Sequence, residues 1–136
     1  MEKKILTFLL MDAPYENART VSALRIIDLA VKRGHRVNVF AYEGAVSLPF
    51  AKQMPHANAV HGRDAAEEDH PLPKDWIAAL MASAEKHGGG IEWINCGLCV
   101  DERGVGESIP GIKRGSPADF WKAAEASDNT LVIATK

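Results

Sequence analysis

Cys96 and Cys99 are the only cysteines among the 136 residues. They stand three apart in the run Asn95-Cys96-Gly97-Leu98-Cys99-Val100-Asp101-Glu102-Arg103-Gly104. A thiolate is the nucleophile in sulfur chemistry, so the question is what would favour one here. The run begins where an apolar segment, Ile91 to Ile94, ends. If that segment is a strand of an open α/β sheet, its carboxyl end is the edge where ligands bind. Residues after Cys96 can coil into a short helix that stops at Gly104. Cys96 then sits at a helix N-terminus, where free N–H groups and the macrodipole favour a thiolate. Cys99 lies one turn further along the same face. The plainer alternative for either cysteine is a small buried hydrophobe.

Four chemistries use such a pair. A single activated thiol can accept sulfane sulfur as a persulfide and pass it on. Two thiols can form and break a disulfide. Two thiols with two histidines can hold zinc, and a cysteine beside a base can transfer an acyl group. The zinc reading requires His56, His61 or His70, whose spacings match no standard ligand pattern, so we expect no metal and no cofactor. Acyl transfer lacks a histidine that must reach Cys96. Dithiol redox proteins of the thioredoxin type carry C-x-x-C after an early strand, whereas this pair lies about 70% of the way along the chain.

Asp12, Tyr15 and Asn17 follow the first apolar segment and are expected at the same sheet edge. They are pocket residues in one reading and turn formers in the other. Gly97, directly behind Cys96, belongs to the same supporting set. Arg103 is either a charge that steadies the thiolate or a solvated residue at a helix end. His35 falls in a tight helix–strand turn and reads as structural. Trp76, Trp93 and Trp121 read as core or interface residues, because no basic groove accompanies them. Gly88 to Gly90 lack the strand-before, helix-after context of a phosphate loop.

The elements that must position these residues alternate. Ile5 to Met11 is almost continuously apolar, as in a strand covered on both faces. A polar turn, Asp12 to Asn17, leads to a helix over about Arg19 to Arg33. Val21, Leu24, Ile27 and Val31 share one face of it, widened by Ala23, Ile26 and Ala30. Lys32 and Arg33 suit its negative end, and Gly34 its left-handed cap. Val37 to Tyr42 reads as the second strand. Val46 to Lys52 is expected to be a short helix, and Gln53 to Pro73 an irregular excursion. Asp75 to His87 reads as a helix with Trp76, Ile77, Leu80, Met81 and Ala84 inward. Ile91 to Ile94 is the third strand. Ser116, Pro117 and Asp119 start a further helix, whose Phe120, Ala123 and Ala124 face the core. Asp128 and Asn129 turn into a last strand, Leu131 to Ala134. This alternation implies a mostly parallel α/β sheet with helices on both faces and right-handed crossovers.

Length and composition agree with one domain over residues 1–136. Hydrophobic residues make up 46% and charged ones 25%, with a net charge of −2, which excludes a disordered chain or a disulfide-stapled miniprotein. The charge argues against nucleic acid and anionic membranes as partners. Ile5 to Met11 is too short to span a bilayer and lacks a cleavage site behind it. Two cysteines at C-x-x-C spacing make no disulfide framework, so a cytoplasmic protein with reduced thiols is expected.

Three stretches resemble the DsrE/DsrF-like family of small sulfur-relay proteins. Ile5 to Gly44 is similar to the family opening: a strand, the turn Ala13-Pro14-Tyr15, a helix with Ser22-Ala23-Leu24, then Gly34-His35-Arg36-Val37 and an aromatic strand. Trp76 to Gly104 is similar to its helix, strand and cysteine with an Arg-Gly pair that ends eight residues on, here Arg103-Gly104. Ala124 to Ala134 is similar to its closing helix–strand. The resemblance implies a three-layer α/β/α sandwich and a persulfide on Cys96 relayed between donor and acceptor proteins. It also implies homo-oligomers, trimers or hexamers, with cysteines near subunit interfaces. Cys99 departs from members that lack a second thiol and leaves room for a dithiol step, in which it resolves the persulfide or guards against over-oxidation. Two rivals remain from the residues alone. One is a dithiol redox protein using both cysteines. The other is a binding module that uses the pocket by Asp12 to Asn17, and it gains if the cysteines are deeply buried.

Overall fold

The computed structural model describes residues 2–135. Five parallel strands form one sheet in the order β4-β3-β2-β1-β5: β1 (Ile5–Leu10), β2 (Arg36–Ala41), β3 (Ile91–Cys96), β4 (Ile112–Gly115) and β5 (Asn129–Ile133). Parallel pairing requires crossovers, and these supply α1 (Arg19–Lys32), α3 (Pro73–Lys86), α4 (Gly97–Glu102) and α5 (Pro117–Glu125). A 3-10 turn (Glu43–Ser47) and a four-residue helix, α2 (Ala65–Glu68), lie between β2 and α3. Strands β1 to β4 advance in one direction, and the chain then returns across the sheet to place β5 beside β1. A right-handed return must use the opposite face. Accordingly α1 packs on α3, whereas α5 packs on β1 and β2 from the other side. This is the expected α/β architecture with helices on both faces.

The period-2 pleat sorts the side chains. Phe8, Leu10, Val37, Val39, Ala41 and Trp93 join Leu24, Ile27 and Val31 of α1 and Ile77, Leu80 and Ala84 of α3 in one buried core. The alternate residues Leu9, Phe40, Ile94 and Cys96 point into a smaller cluster with Val46, Cys99, Val100 and Phe120. Thr7 and Asn38, also alternate residues, are hydrogen bonded to one another, and Thr7 bonds to Ser127.

Several local expectations change. Helix α1 buries Leu24, Ile27, Val31, Ala23 and Ala30 as expected, but also Thr20, while Val21 and Ile26, at the two margins of that face, are exposed. No helix covers Val46 to Lys52. The 3-10 turn comes earlier, and Phe50 and Ala51 instead pair with the segment at Glu107 to Ser108. The 53–73 excursion contains α2, whose start is closed by reciprocal Asp64–Glu67 bonds. Helix α3 begins at Pro73, two residues earlier than expected. Trp76 and Met81 are only partly buried there. Strand β4 was not expected, and β5 starts at Asn129. Phe120, Ala123 and Ala124 are half-buried, and Trp121 is 64% exposed. His35 is structural as expected: its Nδ1 accepts the Lys4 N–H at 3.1 Å.

Candidate functional site

Cys96 is the last residue of β3 and the N-cap position of α4. Both cysteines are free thiols, exposed by only 3% and 4%. Asn95, fully buried beside Cys96, fixes this strand end. Its Oδ1 accepts from Trp93 Nε1 at 3.2 Å. Its Nδ2 donates to Val46 O at 3.2 Å and Ser108 Oγ at 3.3 Å. One amide thus ties β3 to both loops that border the sulfur atoms.

The two thiols are chemically unequal. Cys99 is buried in one cluster with Cys96. Burial first, and its interaction with the Cys96 side chain second, push the Cys99 thiol up to about 11. The Glu43 backbone N–H donates to Cys99 Sγ at 3.2 Å and opposes the shift. Cys99 therefore holds its proton well above neutral pH. The Tyr42 phenol borders the pair. The Glu43 carboxylate, followed by the Cys99 sulfur, holds its pKa above the ordinary value. Tyr42 also stacks on Phe40, with ring centroids 6.1 Å apart, and Phe40 lies 5.9 Å from Phe120.

The nearby cation is Arg114, contributed by β4. Its Nη2 donates to Gly97 O at 3.2 Å and to Asp101 Oδ2 at 2.9 Å, and its Nη1 donates to Asp101 Oδ1 at 3.2 Å. A Cβ on Gly97 would stand 3.1 Å from Nη2, so the missing side chain lets the guanidinium lie against the start of α4. The pKa of Arg114 is raised chiefly by the Asp101 hydrogen bond and more weakly by attraction to a Cys96 thiolate.

Arg103 sits elsewhere. It makes a 2.6 Å ion pair with Glu43. Together they border an open cleft of about 700 Å³ with Met11, Asp12, Ala13, Glu16, Asn17, Gly44 and Thr135. Asp12 is buried, and its Oδ2 accepts from Asn17 Nδ2 at 2.6 Å. Asn17 Oδ1 in turn accepts from Arg19 N, which sets the start of α1. Asp12 and Asn17 are therefore cleft residues as well as turn formers. Tyr15 is turned away from them. It has φ 64°, is 63% exposed, and meets His56 and His70 edge-on at 6.3 and 5.6 Å. Its neighbours are the excursion histidines, not the thiols.

The structure thus brings Cys96, Cys99 and Gly97 together, and places Asp12, Asn17 and Arg103 in an adjacent cleft. Sequence reasoning missed Tyr42, Glu43 and Arg114. The rule that drew attention to Asp12, a polar residue just past a strand end, applies equally to Glu43 behind β2. Arg114 carried no such signal, because its strand was not legible. Among the described residues, no group of three or more His, Cys, Asp or Glu side chains is arranged to hold a metal ion, and no helix is long and apolar enough to cross a membrane.

Comparison with known proteins gives concordant matches. Residues 4–133 match the DsrE/DsrF-like family. An uncharacterized protein of Methanocaldococcus jannaschii is 27% identical over 129 residues, covering 93% of this chain and 97% of that protein. One of Methanopyrus kandleri is 26% identical over 129 residues, covering 93% and 92%. In fold, the chain is similar to the crystal structure of the ychN protein from E. coli. The TM-score is 0.73 at 18% identity, with 96% of this chain and 99% of that one covered. A conserved protein of unknown function from Bacteroides thetaiotaomicron aligns with a TM-score of 0.57 at 13% identity, covering 95% and 94%.

Proposed function

Because this chain belongs to the DsrE/DsrF-like family, which suggests a role related to sulfur relay, we propose that it is a sulfur carrier loading Cys96 as a persulfide. The observation that carries this reading is the placement of Cys96: it ends β3, stands at the N-cap position of α4 and packs in one cluster with Cys99. The Cys96 thiolate attacks the terminal sulfur of a donor persulfide, R–S–SH. The S–S bond breaks, R–S⁻ leaves and takes up a proton, and Cys96 carries the transferred sulfur. An acceptor thiolate then attacks that outer sulfur and releases the Cys96 thiolate. Neither step changes the net oxidation state. Arg114, whose guanidinium lies against Gly97 O at 3.2 Å, is the cation that offsets negative charge on the carrier sulfur.

The partners are donor and acceptor proteins that present cysteines, and the compartment is the reducing cytoplasm. The protein itself assembles as a homo-oligomer, a trimer or hexamer. Exposed Ile26, Leu29, Trp121 and Val132 offer apolar surface for assembly. Sedimentation equilibrium tests this, and a monomer at micromolar concentration overturns it.

Intact mass spectrometry after incubation with a persulfide donor tests the carrier. A gain of one sulfur atom is expected in the wild type and in Cys99→Ser, and no gain in Cys96→Ser. Gain by Cys96→Ser overturns the assignment, and loss of two hydrogens requiring both thiols indicates dithiol redox chemistry instead. A second reading, a small-ligand binding module, draws on the near-complete burial of both thiols beside a cleft that contains neither. It expects ligand affinity to survive Cys96→Ser with Cys99→Ser and no sulfur to be gained.

A further inference from the structure

The burial of both thiols raises the question of how a small substrate reaches them. One residue touches both compartments. Glu43 places its backbone N–H 3.2 Å from Cys99 Sγ, while its carboxylate borders the cleft and holds Arg103 at 2.6 Å. Glu43 is also a non-glycine residue at φ 52°, in the left-handed region where a side chain is strained. Two neighbours hold it there. Arg103 grips the carboxylate, and Gly44 lies so close to the next loop that a Cβ on it would come within 2.9 Å of the Ala13 nitrogen. The cleft opens at the carboxyl end of β1, flanked in the sheet by β2 and by the returning β5. Open α/β sheets form ligand crevices where the strand order reverses in this way.

The charges of the cleft select what enters. Asp12, Glu16 and Glu43 border it; Arg103 pairs with Glu43 and Arg19 lies 3.8 Å from Asp12, so three carboxylates face two guanidiniums and the carboxylate of Glu16 is left over. An anionic small molecule is disfavoured there and an ammonium group is favoured. The opposite side of Cys96 carries the Arg114–Asp101 pair, which supplies no such excess of carboxylates.

We propose that this acidic cleft is the entry site to the buried thiols, that Glu43 is its gate, latched by Arg103, and that it admits, besides the cysteine of a donor protein, an aminothiol persulfide as a small-molecule donor. The substrate class rests on the sulfur-carrier reading; the entry route does not.

Two methanethiosulfonate reagents test it, one ending in a trimethylammonium group and the other in a sulfonate. In each, the cysteine thiolate attacks the reagent's outer sulfur, a mixed disulfide forms and methanesulfinate leaves, with no external oxidant. The cationic reagent is expected to modify Cys96 faster than the anionic one. Their rate ratio should fall several-fold in Asp12→Asn and in high salt. Arg103→Gln should speed both reagents about two- to fivefold, the range that loss of an exposed ion pair permits. Reversing the pair with Glu43→Arg and Arg103→Glu should restore the slower rate. Thermal melts establish that each variant is folded, and the salt dependence of the unmodified protein needs no variant. Faster modification by the anionic reagent, or a ratio indifferent to Asp12→Asn and to salt, overturns the route and puts entry past Tyr42 and Arg114. A wild-type rate in folded Arg103→Gln overturns the latch. These reagents carry no sulfane sulfur, so failure here leaves the carrier reading to its own mass-spectrometric test.

Discussion

The two faces of the sheet are built differently, and both thiols lie on the thinner one. On the first face, α1 and α3 cover Phe8, Val37, Val39 and Trp93 with aliphatic side chains, and most of that core is fully buried. On the second, α4 and the nine-residue α5 cover a smaller cluster that includes both cysteines, partly closed by half-buried Tyr42, Val105 and Phe120. The first face supplies most of the hydrophobic stabilisation, which scales with apolar area removed from water. The second leaves the two thiols under a shallow cover, where local opening requires little of the molecule to move.

Truncation should expose this difference. Phe8→Ala, in the thick core, should cost about 3–5 kcal/mol in denaturant unfolding. Phe120→Ala, in the thin one, should cost roughly half of that and also speed alkylation of the thiols. Equal costs, with alkylation unchanged in Phe120→Ala, would erase the contrast. Asn95→Ala is next in size. It strands Trp93 Nε1, Val46 O and Ser108 Oγ at the junction of the two faces, and should cost about 1–3 kcal/mol. Its heteronuclear spectra should change at both loops beside Cys96.

A smaller effect is confined to alkaline pH. The Cys99 thiol is raised from an ordinary value of 9.0 to about 11, so the folded state holds this proton more tightly than the unfolded one. The resulting stabilisation is fully present below about pH 9 and is lost as the pH rises through 11. Melting temperature should decline over that window in the wild type, and the decline should be weaker in Cys99→Ser. The smallest change is expected from Asp28→Ala on the outer face of α1. It removes the exposed Lys32 pair and should shift stability by no more than about 0.5 kcal/mol. A larger shift would show that surface pairing, and not core depth, sets the balance between the faces.

Strands β1, β2 and β3 and helices α1, α3 and α5 were legible because each carries a periodic signal long enough to read. Strand β4 was not. It has four residues, two of them charged, and lies at the sheet edge, so no alternation rises above the surrounding polar sequence. Helix α2 is one turn long, held by its Asp64–Glu67 capping bonds and burying no residue. The inward face of α1 was legible at Ala23, Leu24, Ile27, Ala30 and Val31, whereas Val21 and Ile26 lie at its margins, where periodicity does not decide burial.

For the site, the C-x-x-C spacing and the strand end at Ile94 were sufficient to expect both thiols at one sheet edge, since strand direction and helical pitch are local properties. The assignment of cations could not be read in the same way. Arg103, seven residues beyond Cys96, turns to Glu43, whereas Arg114 reaches Gly97 and Asp101 from a neighbouring strand. Proximity in sequence is a poor guide once pairing between strands sets which charges meet. The same holds for burial: the chain carries Tyr42, Glu43 and Phe120 far from Cys96, and only packing across β2 and α5 brings them around it. Periodicity, being local, specified the elements and the thiol pair; charge pairing, burial and the division between cleft and thiols depend on contacts between distant segments, which arise only on folding.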